Sequence, residues 1–552
     1  MPASTLRALA FLFTLTVAPV VGHSAGIFVG EVGTHALSRG GALIVNPRAP
    51  SAAFLNPAAL AFLKGTQLQL NLNYVNLRTN YVRDCGNGTA GCGPIDVKRD
   101  YGAHSYAQDG SGRSAVDETS DPPSYPAQGG YIGQLNTGSD FSDGHAVSNQ
   151  VAGMPIPTFF ASFSGAYFNL PKLTLAASFA APNSSDAEYG QDEYTRYTLV
   201  KKDLLGGTYG ISAAYQLTSW LAFGGSFQGQ TMGSHQSVTI SADPLGIENP
   251  DYDVMVDVDI IKHGIPTGNL GLWLTPYRGI ELGFSYQHGA TAELSGPVNV
   301  TLGPELENLS DTLALVEDEG GGKAYATMSQ PGIARGGILL NTAKLFQMPL
   351  DIDIELDGVY EMWSAVSHVP LRIEGLAMQV GGGEPESFEP IVLPKDWQDA
   401  YSIRLGTEWR LLQNTLALRA GGFYESSAIP NETLTVENID GNKYGAGVGF
   451  AYRMGNINLE MGYQGILLDE RKIGDESIVH NTNVMVEPLA VHSNGSTRVA
   501  MGTYNAQYHI VSVGITGVFG AGGDEDPTTR NSTSLKAASP DVGTGFDDVQ
   551  AD

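Results

Sequence analysis

Residues 66–74, TQLQLNLNY, place Gln67, Gln69, Asn71 and Asn73 in strict alternation with Leu68, Leu70, Leu72 and Tyr74. Successive side chains of an extended strand point to opposite faces, so this stretch has one polar and one apolar side. The pattern recurs along the chain. TFFASFSGAY (158–167) and LTLAASFA (173–180) are joined by NLPK, YGISAAYQL (209–217) and WLAFGGSFQ (220–228) by TS, and GNLGLWL and IELGFSYQH by TPYRG. Farther on, QPGIARGGILL and LDIDIELDGVYEMW flank NTAKLFQMP, YSIRLGTEWRL and LALRAGGFY flank LQN, and YGAGVGFAYRM and INLEMGYQG flank GN. A last segment, YNAQYHIVSVGITGVF, ends at Phe519, for a total of about 14.

The six short connections between these segments alternate strictly with seven long, polar ones, near residues 80–155, 184–194, 233–251, 294–323, 375–396, 426–442 and 469–501. A soluble sandwich has no reason to sort loop length by the parity of the connection. An up-and-down membrane barrel does, with tight turns on the periplasmic side and long loops outside. The expected fold is therefore all-β, a 14-stranded antiparallel transmembrane barrel over residues 65–520. Its aliphatic faces contact lipid; Gln67 to Asn73 and the row Asp351, Asp353, Glu355 and Asp357 face a lumen. Closure is required because an open edge strands backbone N–H and C=O groups in hydrocarbon, at several kcal/mol each. In the last segment, Ser512, Gly514 and Phe519 fit three positions of a barrel-insertion signal that Gly517 breaks.

Composition supports this reading by exclusion. A formal charge of −28, from 30 Lys and Arg against 58 Asp and Glu, lacks the cationic surface that nucleic acid demands. A mean hydropathy of −0.08 is too polar for a helical membrane bundle. Residues 1–25 have the layout of a secretory signal peptide, with Arg7, an apolar stretch from Ala8 to Val21 and small residues at the end. In an exported chain the two cysteines, Cys85 and Cys92, read most simply as a disulfide stapling one loop. GHSAG (22–26) matches a nucleophile elbow at Ser24, but it straddles the expected cleavage point, and no enzyme activity is assigned.

The acidic row has carboxylates about 7 Å apart, too far for one ion to bridge them all. Pairing with Arg335, Arg404, Arg410 and Arg419 on neighbouring strands is the expected arrangement; the alternative is that one of Arg335, Arg404 and Arg419 instead holds a substrate carboxylate. Trp220, Trp273, Trp363 and Trp409 are expected in an interfacial girdle. The histidines have no metal spacing, and no cofactor or metal is expected.

Residues 26–64 are small and apolar without alternation, and they lead straight into the first strand, so a plug folded inside the lumen would accommodate them. This segment, with Asn56-Pro57-Ala58 in FLNPAAL, resembles the N-terminal hatch of the FadL/TodX (OMPP1) family of bacterial outer-membrane transporters for long-chain fatty acids and aromatic hydrocarbons. The resemblance continues at FAAPNSS, at residues 393–430 with Trp397 and Asp399, and at the closing strands. It implies passive uptake of hydrophobic small molecules, most simply long-chain fatty acids and alternatively hydrocarbons, by a monomer whose lumen opens laterally to outer-membrane lipid near the hatch. Asn56, Pro57, Ala58 and Pro182 are the gate residues it implies. Two departures stand out: NPRAPSA precedes the triplet where family hatches carry acidic residues, and a Gly-, Ser- and Asp-rich tail, residues 521–552, follows the last strand and reads as disordered periplasmic chain. A membrane-embedded lipase and a structural or adhesive barrel are the rival readings.

Overall fold

A computed structural model of the chain describes residues 32–45, 47–84, 145–182, 184–241, 250–308, 313–380, 383–388, 390–480 and 498–520. The expected signal peptide, Ser24, the Cys85–Cys92 pair and the tail lie outside the described residues.

The wall is a closed antiparallel barrel of 14 strands. They are β1 (Thr66–Arg83), β2 (Met154–Ser164), β3 (Leu173–Ala180), β4 (Lys201–Gln216), β5 (Leu221–Ser241), β6 (Asp253–Tyr277) and β7 (Ile280–Gln287) in the first half. The second half is β8 (Ile333–Asn341), β9 (Asp351–Glu361), β10 (Ala400–Leu411), β11 (Leu416–Glu425), β12 (Lys443–Met454), β13 (Ile457–Leu468) and β14 (Gly502–Phe519). Each pairs with its neighbours in sequence. The ring closes where β14 pairs with β1 from Thr66↔Phe519 to Arg83↔Gly502. Among the described residues no edge is left in the wall at the level of the lipid belt except at one interruption described below.

Strand parity decides what each face meets. Leu70, Leu72, Ile211, Phe227, Leu270, Ile354, Leu356, Leu405 and Val448 are exposed on the outside, whereas Gln67, Gln69, Asn71, Asn73, Glu281, Asp353, Glu355 and Asp357 are buried within. Tyr74, Tyr209, Tyr286, Tyr360, Tyr401, Tyr444 and Tyr463 mark one rim of the apolar belt. Trp220, Tyr277, Phe346, Leu412 and Phe519 lie toward the other. On β9 the belt runs from Ile352 to Tyr360, roughly 26 Å along the strand and about 20 Å in height at the usual tilt, which accounts for most of an outer-membrane apolar band.

Two expectations need correction. Only Trp220 and Trp409 belong to the external girdle; Trp273 shares the inward parity of Asn269 and packs on Phe62 with ring centroids 4.1 Å apart, and Trp363 packs on Trp397. The long connections are also not all loop. Ala290–Leu302, Lys323–Gln330, His368–Glu374 and Ile391–Pro394 extend the sheet outward above β6 to β9, and a second sheet joins Leu313–Glu317, Leu376–Val380 and Glu386–Ser387. Their apolar faces meet one another, through Leu294, Val298, Ala324, Ala326, Val256 and Ile260, and not lipid. A strand of 9–11 residues suffices to span a membrane. β6, with 25 residues, carries the wall well past it.

Candidate permeation chamber

Residues 32–45 and 47–63 lie inside the barrel. They form short helices at Thr34–Ser38 and Ala52–Leu55 and a 3₁₀ turn at Pro57–Phe62, and nearly all are buried. Glycines on the inward faces make the room. A Cβ at Gly224 would stand 2.5 Å from the carbonyl carbon of Pro57, and Gly406, Gly421, Gly447 and Gly462 are overlain in the same way by Arg39, Leu37 and Ser38. Asn56 pins the 3₁₀ turn. Its Oδ1 accepts from Ala58 N at 3.2 Å while its Nδ2 donates to the carbonyls of Ile44 at 3.0 Å and Leu272 at 3.3 Å, and Pro57 occupies the first turn, where its missing N–H costs nothing.

The acidic row on β9 holds this segment. Glu355 accepts from Arg39 at 3.0 Å and from Val45 N at 2.7 Å, Asp357 from Ile44 N at 3.0 Å, and Asp353 pairs with Arg48 at 2.8 Å. His35 reaches Glu408 at 3.0 Å. The wall's own cations are engaged as well. Arg410 bonds Asp351 and Asp353, Arg419 bonds Glu408 at 2.8 Å and Glu460 at 2.9 Å, and Arg404 bonds Glu425 at 2.9 Å. Of the arginines singled out from sequence, Arg335 differs. Its Nη1 has no hydrogen-bond partner among the described residues, though the side chain is buried.

Arg335 faces the lumen just above the inward segment, two residues along β8 from Gly337, whose position lies against Val45. Across the lumen the wall is apolar: Val75, Ile156, Ala181, Ile466 and Ile510 cluster with Leu37 of the inward segment. Above the inward segment the barrel is roofed. Tyr81, Tyr189, Tyr194, Tyr197 and Tyr504 pack with Leu434, Val436 and Ile439 from the connection between β11 and β12. That connection is fastened by Glu437, whose carboxylate accepts from Gln236 at 2.9 Å and Lys395 at 3.0 Å while its carbonyl accepts from Lys202. Burial alone would raise the Glu437 carboxyl, but Lys395 and Lys202 outweigh it and hold it down to about 2.

One stretch of wall is incomplete. β2 pairs with β1 from Met154 to Phe163 but with β3 only from Phe159 to Ser164. Beyond Ala180, opposite Thr208, pairing with β4 resumes only at Ser185, opposite Leu204, a shift of one residue. Pro182, which has no N–H to give a ladder, lies in the break. Above it the wall is restored by Asn149, whose Nδ2 donates to Leu77 O and Asp186 O at 3.4 Å each and whose Oδ1 accepts from Glu188 N at 3.0 Å. Phe160 and Ala180, at the edge of the break, pack with Val32, Leu43, Phe54 and Leu55. Asn56, Pro57 and Ala58 themselves bear on β5 and β6 at Gly224 and Gly271. The structure thus brings the inward segment to the break through Phe54 and Leu55, neighbours of the triplet that sequence reasoning did not single out.

Comparison with known proteins gives a consistent answer. The family model described as outer membrane protein transport protein (OMPP1/FadL/TodX) matches residues 15–508. A FadL homologue from Pseudomonas aeruginosa is similar in structure at TM-score 0.65 and 18% identity, over 90% of this chain and all 100% of that one. The Pseudomonas putida toluene transporter TodX aligns at TM-score 0.54 and 13% identity over 89% of this chain and 99% of its own. The Ralstonia pickettii toluene transporter TbuX aligns at 0.53 and 13% over the same shares. No curated protein matches the chain by sequence.

Proposed function

Since the chain belongs to the OMPP1/FadL/TodX family of outer-membrane transport proteins for hydrophobic compounds, we propose that it conducts long-chain fatty acids from the outer face into the membrane. The ligand occupies the chamber between roof and inward segment with its carboxylate at Arg335 and its chain against Val75, Ile156, Ile466 and Ile510. It leaves sideways through the break beside Pro182. Such a route needs no energy source, because the chain passes from an apolar wall to lipid without entering water. The inward segment acts as the hatch expected of residues 26–64. Asn56, Pro57 and Ala58 fix it to β5 and β6, while Phe54 and Leu55 move at the break.

The observation that carries the choice of fatty acid over hydrocarbon is Arg335: a buried guanidinium with an unmatched N–H across the lumen from an apolar wall suits an anionic head. Toluene, the compound in the names of two structural neighbours, offers nothing to it. The test is uptake of labelled hexadecanoate and of toluene by cells whose only transporter of this kind is the wild-type or Arg335→Gln protein. The variant should depress hexadecanoate uptake far more than toluene uptake; a parallel change in both, or none, refutes the reading.

A further inference from the structure

Arg335, Gln228, Gln287 and Glu361 are four lumen-facing side chains that leave hydrogen-bonding atoms unmatched on one stretch of wall, where Asn269, directly opposite Gln287, and Asp357, diagonal to Arg335, do the same. Ile333 of β8 stands directly opposite both Gln287 of β7 and Glu361 of β9, and Arg335 stands opposite Ser285 and Val359. Arg335 is therefore diagonal to both Gln287 and Glu361, at the roughly 7–8 Å spacing that long side chains bridge. Gln287 in turn bonds Gln228 at 2.7 Å, and Glu361 uses one oxygen to accept from Trp363 Nε1 at 2.7 Å. All four are closed off from solvent, at 0% exposure for Gln228, 6% for Gln287, 6% for Arg335 and 3% for Glu361.

The unmatched atoms are Arg335 Nη1, Gln228 Nε2, Gln287 Oε1 and Glu361 Oε1. Two are donors and two are acceptors, and Asn269 Oδ1 and Asp357 Oδ1 beside them add two more acceptors, so acceptors outnumber donors. The share of the glutamines survives reversal of their amides, because whichever one donates to the other, the pair keeps one spare N–H and one spare carbonyl. A plain carboxylate matches only half of the patch. It would satisfy Arg335 and the spare amide N–H but face Glu361 as a like charge and leave the amide carbonyl unbonded, each a cost in a dry site.

We infer that the patch at Gln228, Gln287, Arg335 and Glu361 selects an amphiphile whose head carries a hydrogen-bond donor beside its anionic group, as a 3-hydroxyalkanoate does. The carboxylate takes the two N–H donors, and the neighbouring hydroxyl gives its hydrogen to Glu361 or Gln287. The inference rests on the fatty-acid reading of the chamber and narrows it. Sites that hydrogen-bond a substrate hydroxyl discriminate strongly against the analogue lacking it, because their polar groups are then left unpaired.

The test is competition binding on the purified, detergent-solubilised protein, with hexadecanoate and 3-hydroxyhexadecanoate displacing a fluorescent fatty acid. The wild type should prefer the hydroxy acid by about tenfold or more. In Glu361→Gln and in Gln287→Leu, each verified as folded by heat-modifiable gel mobility, the ratio of the two affinities should fall toward one. Equal affinities in the wild type, or a preference that survives both substitutions, overturn the inference while leaving the fatty-acid reading standing. If neither acid binds, both fall together.

Discussion

Replacing Glu355 by Gln tests what keeps the inward segment in place. Arg39 and Glu355 are 1% and 0% exposed, and their ion pair at 3.0 Å joins the segment to β9. The amide oxygen of Gln can still accept from Val45 N, now bonded to Glu355 at 2.7 Å, so the substitution removes charge and little else. Removing one partner of a buried ion pair costs about 3–5 kcal/mol, and the lower figure applies because Asp353, Asp357 and Glu408 also face Arg39. At the lower figure, displacement of the segment becomes roughly a hundredfold more frequent. Because the cost falls on the segment and not on the strand ladders, the barrel should remain folded. Planar-bilayer recordings should show larger and noisier small-ion conductance, and hydrogen exchange at the Val45 amide should accelerate to match. The double variant, Arg39→Gln with Glu355→Gln, exchanges the ion pair for two neutral amides and should return to within about 1–2 kcal/mol of the wild type. Wild-type conductance and exchange in the single variant would refute the anchoring role. A double variant as leaky as the single would show that an unpaired charge is not the cause.

Glu437 gives the roof a pH dependence of definite sign. Its folded value of about 2 lies below the ordinary 4.5, so its contribution is complete above about pH 5 and lost as pH falls toward 2. The shift corresponds to about 3 kcal/mol. Acid should therefore open residues 431–439, followed through Trp363 and Trp397 fluorescence beneath them, and Glu437→Gln should flatten the transition; an unchanged acid midpoint in that variant refutes the assignment. Gly224→Ala should displace the 3₁₀ turn at Pro57–Phe62, because the new methyl meets Pro57 backbone at 2.5 Å, whereas Gly225→Ala on the outward face makes ordinary contacts, with Leu270 at 3.5 Å and the Asn269 carbonyl at 3.9 Å. Hydrogen exchange over residues 57–63 should rise in the first and not in the second. Equal exchange in the two variants would mean that the segment does not bear on β5.

Alternation along single strands made the barrel legible, because a period of two assigns every side chain to lipid or lumen before any partner is known. Ile280, Leu282, Phe284 and Tyr286 against Glu281, Ser285 and Gln287 needed no more than that. The extramembrane sheet was not legible, since Ala290–Leu302 and Lys323–Gln330 bury their apolar faces in each other and their sequences alternate only weakly. Trp273 was misjudged for a related reason. Its indole lies on the polar parity of β6, and only contact with Phe62, far away in sequence, explains an aromatic ring there. Parity likewise placed Arg335, Arg404 and Arg419 in the lumen but did not distinguish a cation paired across neighbouring strands from one with an unmatched N–H. That distinction depends on register between strands, which no single strand encodes.

The basic residues of the inward segment follow from the same electrostatics. Asp353, Glu355 and Asp357 all face inward from one strand, and carboxylates buried there cost several kcal/mol each unless something supplies opposing charge and hydrogen-bond donors. Arg410 on the adjacent strand reaches only the periplasmic end of the row, at Asp351 and Asp353. The remainder must be met from inside the barrel. Arg39, Arg48 and the backbone N–H groups of Ile44 and Val45 do so. NPRAPSA, with Arg48 where the resemblance leads one to expect acid, is thus half of a complementary pair whose other half is DIDIELD on β9. Had the segment kept an acidic residue at that point, the acidic strand would repel the part of the chain that fills its lumen.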